Sequence, residues 1–197
     1  MLRVEDTILV LLAAGRSERF GDVGSKLEET FLGHPLGLHV AVALEKLPFK
    51  ERIVVTGRAA IDYAAHRYRV MPNPAPECGM ASSLRIGVAC AKAQGAAGVL
   101  IALADMPRVT AAHVLRLFDA AKNGDTVVAS SDGRDPKPPV LFGAAKFDFL
   151  LSLEGDEGAR DLVRSGRHVV TSPSELIDVD TPEELATLRA LVKVPGR

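Results

Sequence analysis

Short runs of Leu, Ile and Val, in which apolar residues follow one another without alternating with polar ones, constrain the fold of this chain most. The runs cover residues 7–13, 52–56, 98–103 and 125–129, with shorter segments at 167–170 and 176–179. Strands that are buried on both faces, as in a parallel sheet covered by helices, have this composition. The runs therefore predict the strands of a mostly parallel sheet.

Stretches with helical spacing of apolar residues separate these runs. They cover residues 36–47, 83–93, 111–121 and 182–191. Thr110 and Thr181 stand where N-caps are expected, and Thr181 is followed by Pro182 and, three residues on, by Glu184. Strands that alternate with helices imply right-handed crossovers. The pattern predicts a single α/β domain over residues 1–197 with a doubly wound, Rossmann-like sheet.

Composition excludes several classes of protein. The 197 residues include 24 Lys and Arg and 25 Asp and Glu, a net charge of -1, which argues against nucleic-acid binding. The apolar run at residues 8–14 is too short to cross a bilayer and follows acidic residues, so we expect neither a membrane segment nor a signal peptide. Cys78 and Cys90 are too far apart for a CxxC motif, which favours a reduced, cytoplasmic setting.

The loop after the first predicted strand has the composition of an anion-binding site. From residue 14 it reads AGRSER, and Lys26 follows. Small residues let backbone amides approach a ligand closely, and the arginines and lysine add positive charge. The residue pattern of this loop matches neither a Walker A motif nor a G-x-G-x-x-G dinucleotide-binding motif. Taken alone, the loop is equally compatible with a solvated basic connection.

Carboxylates follow two other apolar segments. Asp105 comes two residues after the run at 98–103, and Asp178 and Asp180 lie at the end of the segment 176–179. Ligands of parallel sheets bind beyond the carboxyl ends of the strands, and Mg²⁺ is held by one or two carboxylates with substrate phosphates. Strand alternation would place Asp178 and Asp180 on the same face. The alternatives are that Asp105 is a turn residue and that Asp180 caps the last helix.

Separated motifs give the chain a family resemblance. In order they are LAAGRSERFG from Leu12, PECGMASSLRIGV from Pro76, ALADMP from Ala102, PPVLFG from Pro138, EGDEGAR from Glu154 and DVDTPEEL from Asp178. With these the chain resembles the MobA-like NTP transferases, and within them the molybdenum cofactor cytidylyltransferases (CTP:molybdopterin cytidylyltransferases). It differs from many relatives at Phe20, at Met106, and in a longer segment between Gly21 and Lys26.

The resemblance implies a fold of the nucleotide-diphospho-sugar transferase type and a Mg²⁺-dependent reaction. The reaction transfers CMP from CTP to a phosphorylated acceptor, in this branch molybdopterin, and releases pyrophosphate. No nucleic acid or membrane takes part, and a molybdoenzyme or a chaperone is an expected protein partner.

The resemblance also implies which residues form the site. Those that bind the nucleotide are Leu12, Ala13, Ala14, Gly15, Arg16, Ser17, Lys26, Gly79, Ser82 and Ser83. Arg16, Arg19 and Lys26 are the catalytic residues that act on the phosphates. Asp105 and Asp180 bind Mg²⁺. The acceptor lies against Lys137, Pro138, Asp156 and Arg160.

Other activities remain open at the level of sequence. Guanylyl transfer and sugar-phosphate nucleotidyl transfer use the same fold and phosphate chemistry. Some proteins that resemble this branch are reductases of heterocycles, although a dinucleotide fingerprint is absent here. A non-catalytic carrier of molybdenum cofactor is a further alternative.

Overall fold

A computed structural model describes residues 1–15, 20, 24–155 and 159–192 of the chain. Within these residues the strands are β1 (Thr7–Ala13), β2 (Thr30–Phe31), β3 (His34–Pro35), β4 (Glu51–Thr56), β5 (Arg69–Pro72), β6 (Gly98–Leu103), β7 (Val127–Ser131), β8 (Pro136–Gly143) and β9 (Arg167–Val170). One sheet contains seven of the strands, in the order β5-β4-β1-β6-β8-β7-β9, and β2 and β3 pair as a short hairpin.

The sheet is mostly parallel. Its neighbouring strands pair in parallel except where β8 is involved, because β8 runs antiparallel to both β6 and β7. The predicted α/β architecture with a mostly parallel sheet is therefore confirmed. The carboxyl ends of β1, β4, β5 and β6 all lie at one edge, which gathers the loops that follow them.

Helices cover both faces of the sheet. In the described part of the chain they are α1 (His39–Leu44), α2 (Met80–Ala93), α3 (Ala111–Ala120), α4 (Phe147–Ser152), α5 (Arg160–Ser165) and α6 (Pro182–Val192). Apolar residues of α1 and α3 share one buried cluster, and those of α2 and α4 share another. Among these helices, none is long and apolar enough to cross a membrane.

Strand β1 explains why the first apolar run lacks alternation. All seven of its residues are buried. Leu9 and Leu11 pack in the cluster with α1 and α3, whereas Ile8 and Val10 pack in the cluster with α2 and α4. Because successive side chains point to opposite faces, a strand covered on both sides needs an apolar residue at every position.

Several predicted elements agree closely with the observed ones. The runs at 7–13, 98–103 and 167–170 are strands with the predicted bounds, and the run at 125–129 lies two residues early. Thr110 caps α3 by accepting a hydrogen bond from the backbone N–H of His113 at 3.1 Å. The helix predicted at 36–47 is shorter, because a 3₁₀ turn precedes α1.

Three segments differ from the prediction. The apolar segment 176–179 is not a strand, because the 3₁₀ turn Pro173–Leu176 is followed by irregular extended chain. The edge strand β5 was missed, since most of its residues are exposed and it lacks an apolar run. The proline-rich segment 134–142, predicted as a loop entering a strand, already forms β8 from Pro136, and its Pro138–Pro139 peptide bond is cis.

Gly87 lets α2 approach β1 closely, and this contact gives a stability prediction. A Cβ at Gly87 would lie 2.3 Å from Cγ1 of Val10. We expect Gly87→Ala to lower the free energy of unfolding by about 1–3 kcal/mol, since an extra methyl overfills the core. Urea denaturation measures this, with Gly124→Ala as the control because a Cβ there meets no atom within 4 Å. Equal losses in the two variants would contradict the packing argument.

Candidate active site

The carboxylates of Asp105 and Asp180 converge on the ammonium of Lys26. Its Nζ lies 2.8 Å from Oδ2 of Asp105 and 2.7 Å from Oδ1 of Asp180. Lys26 is 6% exposed, whereas the carboxylates remain partly open to solvent. The two partners lie 79 and 154 positions from Lys26 in the sequence, so the cluster is assembled by the fold.

A short turn directs Lys26 toward the carboxylates. The 3₁₀ turn Lys26–Glu28 begins at Ser25, whose hydroxyl accepts a hydrogen bond from the N–H of Leu27, and Glu28 accepts one from the N–H of Ser25. The other oxygen of Glu28 accepts the N–H of Ala60, in the loop that follows β4. The turn is thereby attached to the sheet edge, and the longer segment before Lys26 does not carry this lysine out of the site.

Asp180 reaches Asp105 because the chain before α6 is bound to the end of β6. The N–H of Val179 donates to the carbonyl of Asp105 at 3.0 Å, and Val179 is fully buried. Glu184 then accepts hydrogen bonds from the N–H groups of Asp180 and Thr181, and its own N–H donates to the Thr181 hydroxyl. The predicted cap at Thr181 is confirmed, which leaves the side chain of Asp180 available to Lys26.

Asp178 and Asp180 have different environments. The prediction placed both residues on one face by strand alternation. That argument does not apply, because residues 176–179 form no strand. Asp178 is exposed, and its negative charge acts on Asp105 from a distance.

The protonation preferences of the cluster follow from burial and charge. Burial by itself would lower the pKa of Lys26, but Asp105 and Asp180 outweigh that effect and raise the pKa above its ordinary value, so the side chain is an ammonium. Burial is the largest influence on Asp105 and raises its pKa; Lys26 opposes this, and the charges of Asp178 and Asp180 raise the pKa further. Lys26 and Asp105 thus both favour their protonated forms more than the free side chains do.

The two carboxylates match the ligands that a divalent cation takes in proteins. Oδ1 of Asp105 is buried and accepts no hydrogen bond from the described residues. Mg²⁺ is commonly held by one or two carboxylates, with substrate phosphates completing its coordination. A ligand set of three or more His, Cys, Asp or Glu side chains does not occur in the part of the chain that the structure describes. A cation here would depend on the substrate for its remaining ligands.

The end of β1 lies beside the cluster and leads into the basic loop. Leu12 and Ala13 end the strand, Ala14 is buried, and Gly15 is exposed. The backbone is tightly packed here, since a Cβ at Gly57 would lie 3.1 Å from Cα of Ala14. The predicted phosphate-binding residues Arg16, Ser17 and Arg19 lie outside the described residues.

The other residues predicted to bind the nucleotide lie at the start of α2. Gly79 precedes the helix with a φ of 80°, a conformation that favours glycine. Ser82 and Ser83 are buried, and both hydroxyls accept hydrogen bonds from Nδ2 of Asn73, at 2.8 and 2.9 Å. Asn73 was missed from the sequence because it directly follows β5, which was itself not predicted. These hydrogen bonds join the start of α2 to the end of β5.

The structure brings together three of the four residues predicted to contact the acceptor. Lys137, Pro138 and Arg160 line one cavity of about 410 Å³ between the sheet, the start of α2 and α5. Leu12 lines the same cavity, which therefore meets the edge of the sheet where β1 ends. Asp156 lies outside the described residues.

A lysine and two carboxylates gathered where the strands of a parallel α/β sheet end define a class of enzyme that acts on charged substrates at that edge. Residues 9–170 match the MobA-like NTP transferase domain, and the chain belongs to this family. The family expected from the sequence motifs is thereby confirmed.

Relatives and solved structures agree with this assignment. The chain is 32% identical over 197 residues to the purine catabolism protein PucB of Bacillus subtilis, covering 91% of this chain and 94% of that protein. It is 29% identical over 195 residues to a probable molybdenum cofactor guanylyltransferase of Rhodopirellula baltica, covering 89% and 88%. The crystal structure of Rv0371C from Mycobacterium tuberculosis in complex with manganese superposes with a TM-score of 0.69 at 27% identity, covering 94% of this chain and 99% of that one.

Proposed function

We propose that this nucleotidyltransferase transfers CMP from CTP to a phosphate of molybdenum cofactor (molybdopterin) and releases pyrophosphate. The observation that carries the proposal is the convergence of Lys26, Asp105 and Asp180 beside the loop that follows β1. A positive charge and two candidate metal ligands at one strand edge are what the transfer of a charged phosphoryl group requires.

The reaction needs little covalent chemistry from the protein. An acceptor phosphate oxygen attacks the α-phosphorus of CTP, and the bond from that phosphorus to the pyrophosphate oxygen breaks. The acceptor needs no general base, because a phosphate monoester is largely ionised near neutral pH. The work of the chain is to orient the two substrates and to neutralise negative charge on the α-phosphoryl oxygens.

Each part of the site has a role in this proposal. Lys26, which is a buried ammonium, neutralises the α-phosphoryl group. Asp105 and Asp180 would hold Mg²⁺, which when bound neutralises charge between the nucleotide and the acceptor. Backbone amides from Ala13 to Ser17, together with Arg16 and Arg19, bind the β- and γ-phosphates.

The base and the ribose lie in this proposal over the start of α2. Gly79, Ser82 and Ser83 are the contacts, and Asn73 holds the two serines in place. The acceptor lies over Lys137, Pro138, Asp156 and Arg160. The proposal includes a single domain over residues 1–197 and a cytoplasmic location, where a molybdoenzyme or its chaperone receives the product.

Guanylyl transfer is a second candidate, because the Rhodopirellula baltica relative is named as a guanylyltransferase. Cytidylyl transfer is favoured here by the motif Leu12-Ala13-Ala14-Gly15, because alanine at position 14 is typical of the cytidylyl branch that the chain resembles.

The two activities predict different nucleotide preferences. With Mg²⁺ and molybdopterin released from a purified molybdoenzyme, we expect label from α-³²P-CTP to enter the acceptor at least about tenfold faster than label from α-³²P-GTP, since a site built to pair with one base leaves its polar groups unpaired with another. Pyrophosphate release, measured in a coupled assay, should parallel the transfer of label.

The control for this assay is Asp105→Asn, which should release no pyrophosphate with either nucleotide. Faster transfer from GTP would replace cytidylyl by guanylyl transfer. Release of pyrophosphate with glucose 1-phosphate but not with molybdopterin would assign the chain to sugar-phosphate nucleotidyl transfer.

A further inference from the structure

A bulge in the pairing of β7 with β8 lies behind one wall of the cavity. The register of the pairing shifts after Ala129, so that Pro138 and Pro139 of β8 have no paired residue on β7. Such a bulge bends its strand and redirects the side chains there. Lys137 and Pro138 line the cavity, so the bulge determines where this part of the wall lies.

The hydroxyl of Ser130 satisfies the backbone of the bulge. It donates a hydrogen bond to the carbonyl of Pro139 at 2.8 Å. Ser130 is fully buried, and Pro139 is buried as well. An unpaired carbonyl at this depth would lose its hydration and gain no partner, which costs about 1–3 kcal/mol. The hydroxyl therefore supplies the hydrogen bond that the pairing of the two strands leaves out at this residue.

His113 holds the same hydroxyl from α3. Its Nε2 lies 2.8 Å from Oγ of Ser130. Because the hydrogen of Ser130 is donated to a carbonyl, Nε2 must carry a hydrogen and donate it, and Nδ1 is then unprotonated. Nδ1 is buried and has no hydrogen-bond partner in the part of the chain that the structure describes. Burial also lowers the pKa of His113, which favours the neutral ring.

The histidine and the cavity lie on opposite faces of the sheet. Val128 of β7 packs in the cluster with α1 and α3, whereas Ala129 packs in the cluster with α2 and α4. Ser130 points to the α3 side by strand alternation, in agreement with its hydrogen bond to His113. The cavity is lined from α2 and α5, and neither His113 nor Ser130 lines it. The pair therefore supports the cavity wall from behind.

We propose that His113 and Ser130 are positioning residues for the transfer reaction, because they hold in place the bulged segment against which the acceptor lies. The contact between acceptor and wall rests on the proposed function, whereas the two linked hydrogen bonds do not. Two apolar side chains could fill the same space, but they would leave the carbonyl of Pro139 unpaired. Packing alone therefore does not account for a buried histidine and serine at these positions.

The tautomer of His113 tests the two linked hydrogen bonds without any assay of activity. We expect long-range ¹⁵N–¹H NMR of the wild-type protein at neutral pH to show a neutral ring with its hydrogen on Nε2. A ring with its hydrogen on Nδ1 would overturn the proposal, because Nε2 would then accept the hydrogen that Ser130 needs for Pro139.

Kinetics with each substrate test the positioning role. We expect Ser130→Ala to raise KM for molybdopterin by about tenfold and KM for CTP by less than about twofold, since displacing one wall affects the substrate that lies against it. Thr126→Val is the matched control. The buried Thr126 hydroxyl accepts the N–H groups of Lys122 and Asn123 just before β7, and Thr126 does not line the cavity. This variant should lose stability but keep both KM values, whereas equal KM changes in Ser130→Ala would overturn the proposal.

Variants of His113 separate its hydrogen bond from its shape. His113→Gln can place an amide N–H near the position of Nε2 and should keep KM for molybdopterin within about threefold of wild type, whereas His113→Leu cannot donate and should raise it as Ser130→Ala does. The comparison remains decisive if Ser130→Ala fails to fold. A wild-type KM in His113→Leu would refute the role of the histidine.

The same measurements separate this proposal from the proposed function. If the ring carries its hydrogen on Nε2 but wild type transfers no CMP to molybdopterin, the proposed function and the role in acceptor positioning fail, and the support of the bulge stands. If wild type and Ser130→Ala transfer CMP with equal KM values, nucleotidyl transfer stands and the positioning role fails.

Discussion

Lys26→Met is expected to destabilise the protein by about 3 kcal/mol, because it leaves two carboxylates facing each other with their shared cation removed. Removing one partner of a buried ion pair lowers the free energy of unfolding by about 3–5 kcal/mol. We expect a loss at the lower end of this range, because the Asp180 side chain is 38% exposed and solvent screens its charge. Urea denaturation at neutral pH measures the loss. Lys92→Met is the control, since its pair with Asp148 is exposed and is expected to change stability by less than about 1 kcal/mol.

Divalent cations distinguish this origin of instability from a general packing defect. In Lys26→Met the ammonium of Lys26 no longer competes with Mg²⁺ for the carboxylates of Asp105 and Asp180, so added Mg²⁺ should raise the free energy of unfolding of the variant more than that of wild type. In wild type the cation must compete with an ammonium that lies within 2.8 Å of both carboxylates. A variant as stable as wild type, or one indifferent to Mg²⁺, would contradict this role of Lys26.

The same substitution should remove turnover. Loss of one group that stabilises charge in the transition state costs about 2–4 kcal/mol, which is on the order of a hundredfold to a thousandfold in kcat. Measurements at low temperature, where the variant remains folded, separate this loss from unfolding. Near-normal kcat in folded Lys26→Met would exclude Lys26 from the transfer step.

Sequence reasoning located the sheet edge that carries the candidate active site because two-sided burial leaves a clear pattern. The apolar runs that became β1 and β6 marked the strand ends, and Asp105 was found because it is a carboxylate two residues after such a run. Parallel strands end at the same edge, so proximity of these loops follows from topology alone. That argument holds wherever strand direction can be inferred.

The sequence alone could not predict that Lys26 pairs with the carboxylates of Asp105 and Asp180. Asp180 reaches Lys26 because the N–H of Val179 binds the carbonyl of Asp105, and a backbone hydrogen bond in irregular chain has no sequence pattern. Asn73 was missed for a related reason. It follows β5, an exposed edge strand that lacks the apolar run by which a buried strand is predicted. The cavity depends on side chains from several strands and two helices, and it becomes visible only once they are packed together.

Asp105→Asn is expected to abolish transfer without weakening the fold. Burial and the charges of Asp178 and Asp180 raise the pKa of Asp105, so ionising this carboxyl costs more free energy in the folded state than in the unfolded state. The amide removes this cost and still offers Lys26 an acceptor oxygen. The free energy of unfolding should therefore equal or exceed that of wild type, while kcat should fall by at least about a hundredfold because one of the two proposed Mg²⁺ ligands is lost.

The pH dependence of this difference identifies its cause. Because the folded pKa of Asp105 lies above its ordinary value of 3.8, wild type loses stability as pH rises from about that value through the folded pKa, and the amide variant does not. The stability advantage of Asp105→Asn should thus grow in urea denaturation as pH rises from about 4 through the folded pKa of Asp105. Asp178→Asn, at an exposed carboxylate, is the matched control and should keep most of its turnover. A variant that lost stability at pH 7 would show that the ion pair with Lys26 outweighs the burial of Asp105, and one that kept wild-type kcat would remove Asp105 from the site.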